Sequence, residues 1–172
     1  MPRLLVTPLS SLADALETHA PSRLISLLSP EHMIQTPAGF PAALHLKLGV
    51  NDIVDPNAGS APPIRRHIDD LLTFSRAWDA QSPLLIHCWA GISRSMASAF
   101  TILCDRLGAD REIEIARAMR LRAPHAQPNR LLVQHADDAL GRGGRMIAAL
   151  NSMGPPLLVA EGVTTAFPLV GL

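Results

Sequence analysis

The stretch Leu84-Leu85-Ile86-His87-Cys88-Trp89-Ala90-Gly91-Ile92-Ser93-Arg94-Ser95 decides how this chain is read. Three consecutive apolar residues suit a strand buried on both faces, and they deliver Cys88 to the strand's end. A helix beginning near Ser93 would aim its unpaired backbone N–H groups, and the positive end of its dipole, at the loop between. Arg94 adds a planar, permanently charged fork that fits two oxygens of an anion. The attacking form of a cysteine is its thiolate, and reactive cysteines occupy electropositive loops of this kind. A cysteine after a buried strand is in general more often a small core residue, but the flanking His87, Gly91, Arg94 and Ser95 turn the reading toward a nucleophile. Gly91 suits a loop whose N–H groups turn inward, because such backbone is costly for a residue with a Cβ; by itself it is equally an ordinary turn glycine.

Outward from this stretch, the pattern alternates between strands and helices. Leu4 to Leu9 reads as an edge strand, since Pro8 cannot donate to a ladder, and Ser10 offers an N-cap for a helix through Ala20. Arg23 to Ser29 reads as a buried strand closed by Pro30, and His45 to Val50 as a strand with period-two alternation. Residues 51–62 have loop chemistry almost throughout. A helix follows from Pro63, with the proline in its first turn and apolar residues recurring to Trp78. Ser93 to Leu107 reads as a helix ended by Gly108, and Asp110 as the cap of the next, which runs to about Arg122. Asn129 to Leu140 and Arg145 to Met153 are further helices, separated by Gly141, Gly143 and Gly144. The expected class is α/β, a short, mostly parallel central sheet flanked by helices.

Composition narrows the partners. The chain has 172 residues, enough for one domain with a real core, and its 15 basic and 15 acidic residues cancel. No basic run stands out, so no nucleic-acid partner is expected. Two cysteines are too few for a disulfide framework, and Cys104 reads as a packing residue on the helix after the loop. No stretch has the length of a membrane span or the form of a signal peptide, and a catalytic thiolate suits a reducing compartment, so the cytoplasm is the expected location. The remaining histidines show no spacing that suggests a metal site, and no cofactor is implied.

His87, Cys88, Gly91, Arg94 and Ser95 match the signature His-Cys-(five residues)-Arg-(Ser or Thr), and on these residues the chain resembles the protein tyrosine phosphatases, most of all their short dual-specificity branch. The resemblance covers roughly residues 3–140 and implies a cysteine phosphatase-like fold, with residues 1–154 as the catalytic domain. The apolar tail, 155–172, is expected to pack on that domain. The resemblance also implies the roles. Cys88 is the nucleophile; the loop from Cys88 through Trp89, Ala90, Gly91, Ile92 and Ser93 to Arg94 holds phosphate; Ser95 helps the thiolate leave; His87 orders the loop. An aspartate on an upstream loop supplies the proton. Asp52, directly after a strand, is favoured for this, and Asp55 is the alternative, although either could be a loop-capping carboxylate. Gln127-Pro128-Asn129 resembles the segment that packs behind the phosphate loop in this family.

The expected substrate is a phosphorylated protein or small phosphomonoester, with phosphotyrosine favoured and phosphoserine and phosphothreonine left open. Trp89, Ala90, Ile92 and Ser93 bring no lysine into the loop, unlike the phosphatases of highly charged inositol lipids. Two alternatives remain: a weak or inactive phosphate-binding module, and a sulfurtransferase- or arsenate reductase-like thiol enzyme.

Overall fold

The computed structural model describes residues 3–172. Period-two alternation sorts the strand side chains onto two faces. Leu4, Val6, Ile25, Leu27, Leu84 and Ile86 join one buried cluster, while Leu5, Leu24 and Leu85 join the other. The strands are β1 (Arg3–Pro8), β2 (Arg23–Leu28), β3 (His45–Gly49), β4 (Leu84–Cys88) and β5 (Thr165–Pro168), in the sheet order β3-β2-β4-β1-β5. The first four are mutually parallel, and β5 runs antiparallel along β1. Helix α1 (Leu12–His19) covers the Leu5 face with Leu12 and Ala15. The other face carries α2 (Arg65–Arg76), α3 (Arg94–Leu107), α4 (Glu112–Arg122), α5 (Arg130–Ala139) and α6 (Arg145–Ser152). This is the mixed α/β architecture that the alternating pattern implies.

β4 lies between β1 and β2, so both of its edges are paired and Cys88 emerges at the carboxyl end of the central strand. That end of an open parallel sheet is where ligand crevices form. Helix α3 starts there and runs through the middle of the helical layer. Every residue from Arg94 to Cys104 is buried, as expected for a helix apolar nearly all round. Small residues, Ala97 and Ala99, let it approach the sheet and its neighbours closely. Gly108, at φ 93°, ends it.

Four local readings are corrected. Ser10 does not cap α1: a short 3-10 turn spans Leu9–Ser11, and the Ser10 hydroxyl donates to Glu161. Pro63 precedes α2 rather than opening it, and its carbonyl accepts from His135 Nε2 at 3.1 Å. Asp110 makes no side-chain cap for α4, whose N-cap is Arg111; it sits at φ 70° with its carboxylate 3.5 Å from Arg145. The fourth concerns the tail. Sequence periodicity indicates no strand there, yet Thr165–Pro168 completes the sheet, with Leu4 opposite Phe167 and Val6 opposite Thr165, so β1, read as an edge strand, is paired on both sides despite Pro8. Among the described residues no helix is long and apolar enough to cross a membrane.

Phe167 is fully buried against the main cluster. Phe167→Ala is expected to lower the free energy of unfolding by about 3–5 kcal/mol. Deleting residues 155–172 should lower the urea midpoint further, because the exposed edge of β1 is then left unpaired. Urea midpoints equal to the parent's in both variants would show that the tail lies outside the cooperative core.

Candidate functional site

The loop after β4 is arranged with its carbonyls outward. Trp89 O accepts from Leu9 N at 3.0 Å, Ala90 O from Gly162 N at 2.8 Å, and Ile92 O from Gln127 N at 2.9 Å. Ser93 O accepts from Ala97 N at 2.9 Å and Asn129 N at 3.3 Å. The N–H groups of Trp89 to Ser93, by contrast, take no backbone acceptor among the described residues. Gly91 makes the turn possible: its φ is 70°, and a Cβ there would lie 2.8 Å from Pro8 N and 3.1 Å from Thr7 C. Both the dihedral and the approach to β1 demand glycine.

The loop encloses Cys88, whose sulfur is 3.1 Å from Ser95 Oγ, with only 2% of the residue exposed. Arg94 is 7% exposed; its Nη1 donates to Val50 O at 2.9 Å, and its Nε has no partner among the described residues. Among the described residues no carboxylate pairs with it. A buried, uncompensated guanidinium is costly, by several kcal/mol per ion, so this arrangement favours an anion at the same place.

Above the loop opens a cleft of about 550 Å³, lined by Cys88, Arg94, Asp52, Trp89, Asn129 and Arg130 among others. Asp52 enters it from the loop after β3. Its Oδ1 accepts from Ser93 Oγ and from Asn129 Nδ2, each at 2.7 Å. Asn129 is itself fixed, since Nδ2 also donates to Ile53 O at 3.1 Å and Oδ1 caps α5 through Leu132 N at 3.0 Å. The clamp occupies one carboxyl oxygen and leaves Oδ2 for whatever enters the cleft. Asp55 lies elsewhere: its carboxylate accepts from Asn57 N at 2.9 Å in an exposed turn, and it does not line the cleft. The structure therefore brings Asp52, Cys88, Arg94 and Ser95 together and leaves Asp55 outside.

No protein-family model matches the sequence, and no curated protein matches it significantly. Solved structures do match in three dimensions. DUSP15 shares 17% identity over 90% of this chain and 94% of its own, with a TM-score of 0.57. Human DUSP28 shares 19% over 87% and 94%, with a TM-score of 0.56. The human tyrosine phosphatase-like serine/threonine/tyrosine-interacting protein shares 18% over 81% and 91%, with a TM-score of 0.60. This is the dual-specificity phosphatase fold. At such identities the likeness concerns the fold, and the last of these proteins is itself named only phosphatase-like.

Within the phosphatase-like fold, His87 connects the loop to the sheet. Its Nδ1 lies 3.4 Å from Cys88 O and its Nε2 2.6 Å from Ser26 Oγ. Ser26 also meets His45 Nε2 at 2.7 Å, and His45 Nδ1 meets Thr36 Oγ1 at 3.0 Å. One proton order satisfies every group: Thr36 donates to His45, His45 to Ser26, Ser26 to His87, and His87 to the Cys88 carbonyl. This order requires both imidazoles neutral. Burial pushes each down from the usual 6.5 to about 4, helped for His45 by the charge of Lys47; for His87 the charge of Arg94 adds to burial, while the hydrogen bond to the Cys88 carbonyl works against it. Sequence reasoning placed His87 at the loop but overlooked Ser26, His45 and Thr36. A serine inside the run Leu24-Ile25-Ser26-Leu27-Leu28 was the available signal, because a buried hydroxyl needs a partner. It also left Asn129 as a packing residue only.

The chain predicts a pH dependence of stability. The folded values of His45 and His87 lie below the unfolded one, so the unfolded chain binds more protons between them. Their contribution is fully present above pH 6.5 and is lost as the pH falls through about 4. The unfolding free energy measured in urea should fall over that interval, and His45→Asn should reduce its slope by up to about 1.4 kcal/mol per pH unit. A slope unchanged by the substitution would show that His45 titrates normally.

Proposed function

We propose that the protein is a cysteine-dependent phosphomonoester hydrolase acting on phosphotyrosine, with phosphoserine and phosphothreonine as further substrates. The observation that carries this reading is Arg94: a buried guanidinium without a carboxylate partner among the described residues, on the cleft that holds Cys88. A dianionic phosphate suits it, held by the fork of Arg94 and the loop amides from Trp89 to Ser93.

In the first step the Cys88 thiolate attacks phosphorus in line. The S–P bond forms as the ester P–O bond breaks, and Asp52 gives its proton to the departing oxygen. In the second, water attacks phosphorus while Asp52 takes its proton. The S–P bond breaks, phosphate leaves, and the thiolate returns, assisted by a hydrogen bond from Ser95 Oγ. Ser93 and Asn129 hold Oδ1 of Asp52 and so reserve Oδ2 for the proton in flight. The inward amides and Arg94 stabilise charge on the equatorial oxygens, the largest single contribution in catalysis of this kind. His87 stays neutral and positions the cysteine's backbone. The cleft's cations are Arg94 and Arg130, too few for a polyphosphorylated ring, so a phosphoprotein in the cytoplasm is the preferred substrate.

Cys88→Ser should abolish turnover of 4-nitrophenyl phosphate, and vanadate should protect Cys88 of the parent from alkylation. Asp52→Ala should lower kcat on a phosphotyrosine peptide by about 10²–10⁴-fold. The loss should be smaller on 4-nitrophenyl phosphate, whose leaving group needs little protonation. Full turnover by Cys88→Ser would sink the mechanism. Loss of the acid limb of the pH profile in Asp55→Ala, and not in Asp52→Ala, would move the proton donor to Asp55.

A further inference from the structure

Trp89 follows the cysteine directly and has the bulkiest side chain of the loop, yet 58% of it is exposed. It is not loose. Its carbonyl accepts from Leu9 N at 3.0 Å, and His32 meets the indole edge to face, with ring centroids 6.0 Å apart and planes at 69°. Trp89 lines the same cleft as Cys88 and Arg94, and so does Val54, which is 64% exposed on the loop that carries Asp52. An indole and a valine, both exposed and both lining the cleft that holds Cys88 and Arg94, give it apolar surface with nothing charged to recognise. Phosphate has no use for such a surface, because Arg94 and backbone N–H groups suffice to hold it. What the surface can meet is the group attached to the phosphate.

We propose that Trp89 determines substrate specificity by packing against the ring of an aryl phosphate, so that the site selects phosphotyrosine over phosphoserine and phosphothreonine. The proposal rests on the reading of the cleft as a phosphomonoester site. An aryl ester carries its ring on the bridging oxygen, within the span of a residue adjacent to the nucleophile. Offset or edge-to-face contact between two rings adds to the area they bury. A seryl ester offers a single methylene at that place, and so gains little from the indole.

The test uses the Cys88→Ser chain, in which binding can be measured without turnover, and two monoesters of equal charge, phenyl phosphate and methyl phosphate. Calorimetry should show phenyl phosphate bound about tenfold more tightly than methyl phosphate, a preference of the size a ring contact provides. Adding Trp89→Ala should bring the two affinities toward parity, and adding Trp89→Phe should keep most of the preference. Trp78 is buried, so quenching of indole fluorescence by phenyl phosphate in the Trp89 chain reads the contact directly. A preference that survives Trp89→Ala in a folded variant, or no preference in the Trp89 chain, overturns the proposal. A Trp89-dependent preference in a protein that hydrolyses neither ester with Cys88 restored upholds it and overturns the catalytic reading instead. Failure of both esters to bind overturns both.

Discussion

A loop whose N–H groups take no backbone acceptor while its carbonyls turn outward must find a donor for each buried carbonyl. That requirement organises this molecule. The donors to the loop come from Leu9 at the end of β1, Gln127 and Asn129 before α5, and Gly162 in the tail. They are separated by most of the chain's length, so the loop has its shape only when the sheet, the helical layer and the tail are all assembled. The tail is therefore no appendage. β5 pairs with β1, Thr164 meets Thr7 at 2.8 Å, and the Gly162 amide reaches Ala90. A Cβ on Gly162 would lie 2.6 Å from His125 Nε2 and 3.1 Å from Gly91 O, so a side chain there would have to displace the His125 ring.

Electrostatics adds a second constraint at the same place. Arg94 is buried with Nε unspent, and the His87–Ser26–His45–Thr36 chain beneath the loop is polar but neutral. A charged imidazolium at His87 would be repelled by Arg94 and would disturb the single proton order that satisfies all four side chains. Burial prevents this, holding the imidazoles neutral at ordinary pH. The scaffold behind the loop is thus satisfied within the protein, and the uncompensated charge is confined to the side that faces the cleft.

The elements nearest the loop were legible in the sequence because each has a local cause. Leu84 to Ile86 is a continuous apolar run, Gly108 stops α3, and the three glycines at 141, 143 and 144 separate α5 from α6. The signature residues also identified the strand, loop and helix as one unit, because their spacing has meaning only in that context. What was not legible depends on sheet register. Ser26 stands opposite His87 because β2 and β4 pair at that position, and no local pattern encodes the pairing. β5 has only four residues, and its burial pattern becomes visible only when β1 supplies the other side. Ser10 and Asp110 show the opposite failure: both are good capping residues by type, but tertiary partners, Glu161 and Arg145, claim their side chains.

The two aspartates of the β3–α2 connection show how far residue type alone carries an assignment. Both are loop residues with turn-forming chemistry, and only their partners separate them. Asp55 spends its carboxylate on a local N–H two residues on, which stabilises a turn and ends there. Asp52 bonds across the fold instead, to Ser93 of the loop after β4 and to Asn129, the residue that also caps α5 and donates its amide to the Ser93 carbonyl. Asn129 therefore fixes the loop and Asp52 with one side chain and one backbone group. Because both donors bind the same carboxyl oxygen, they set the rotamer of Asp52 without closing it to the cleft. A carboxyl group held on one oxygen and free on the other is suited to passing a proton, whereas one spent on its own turn is not.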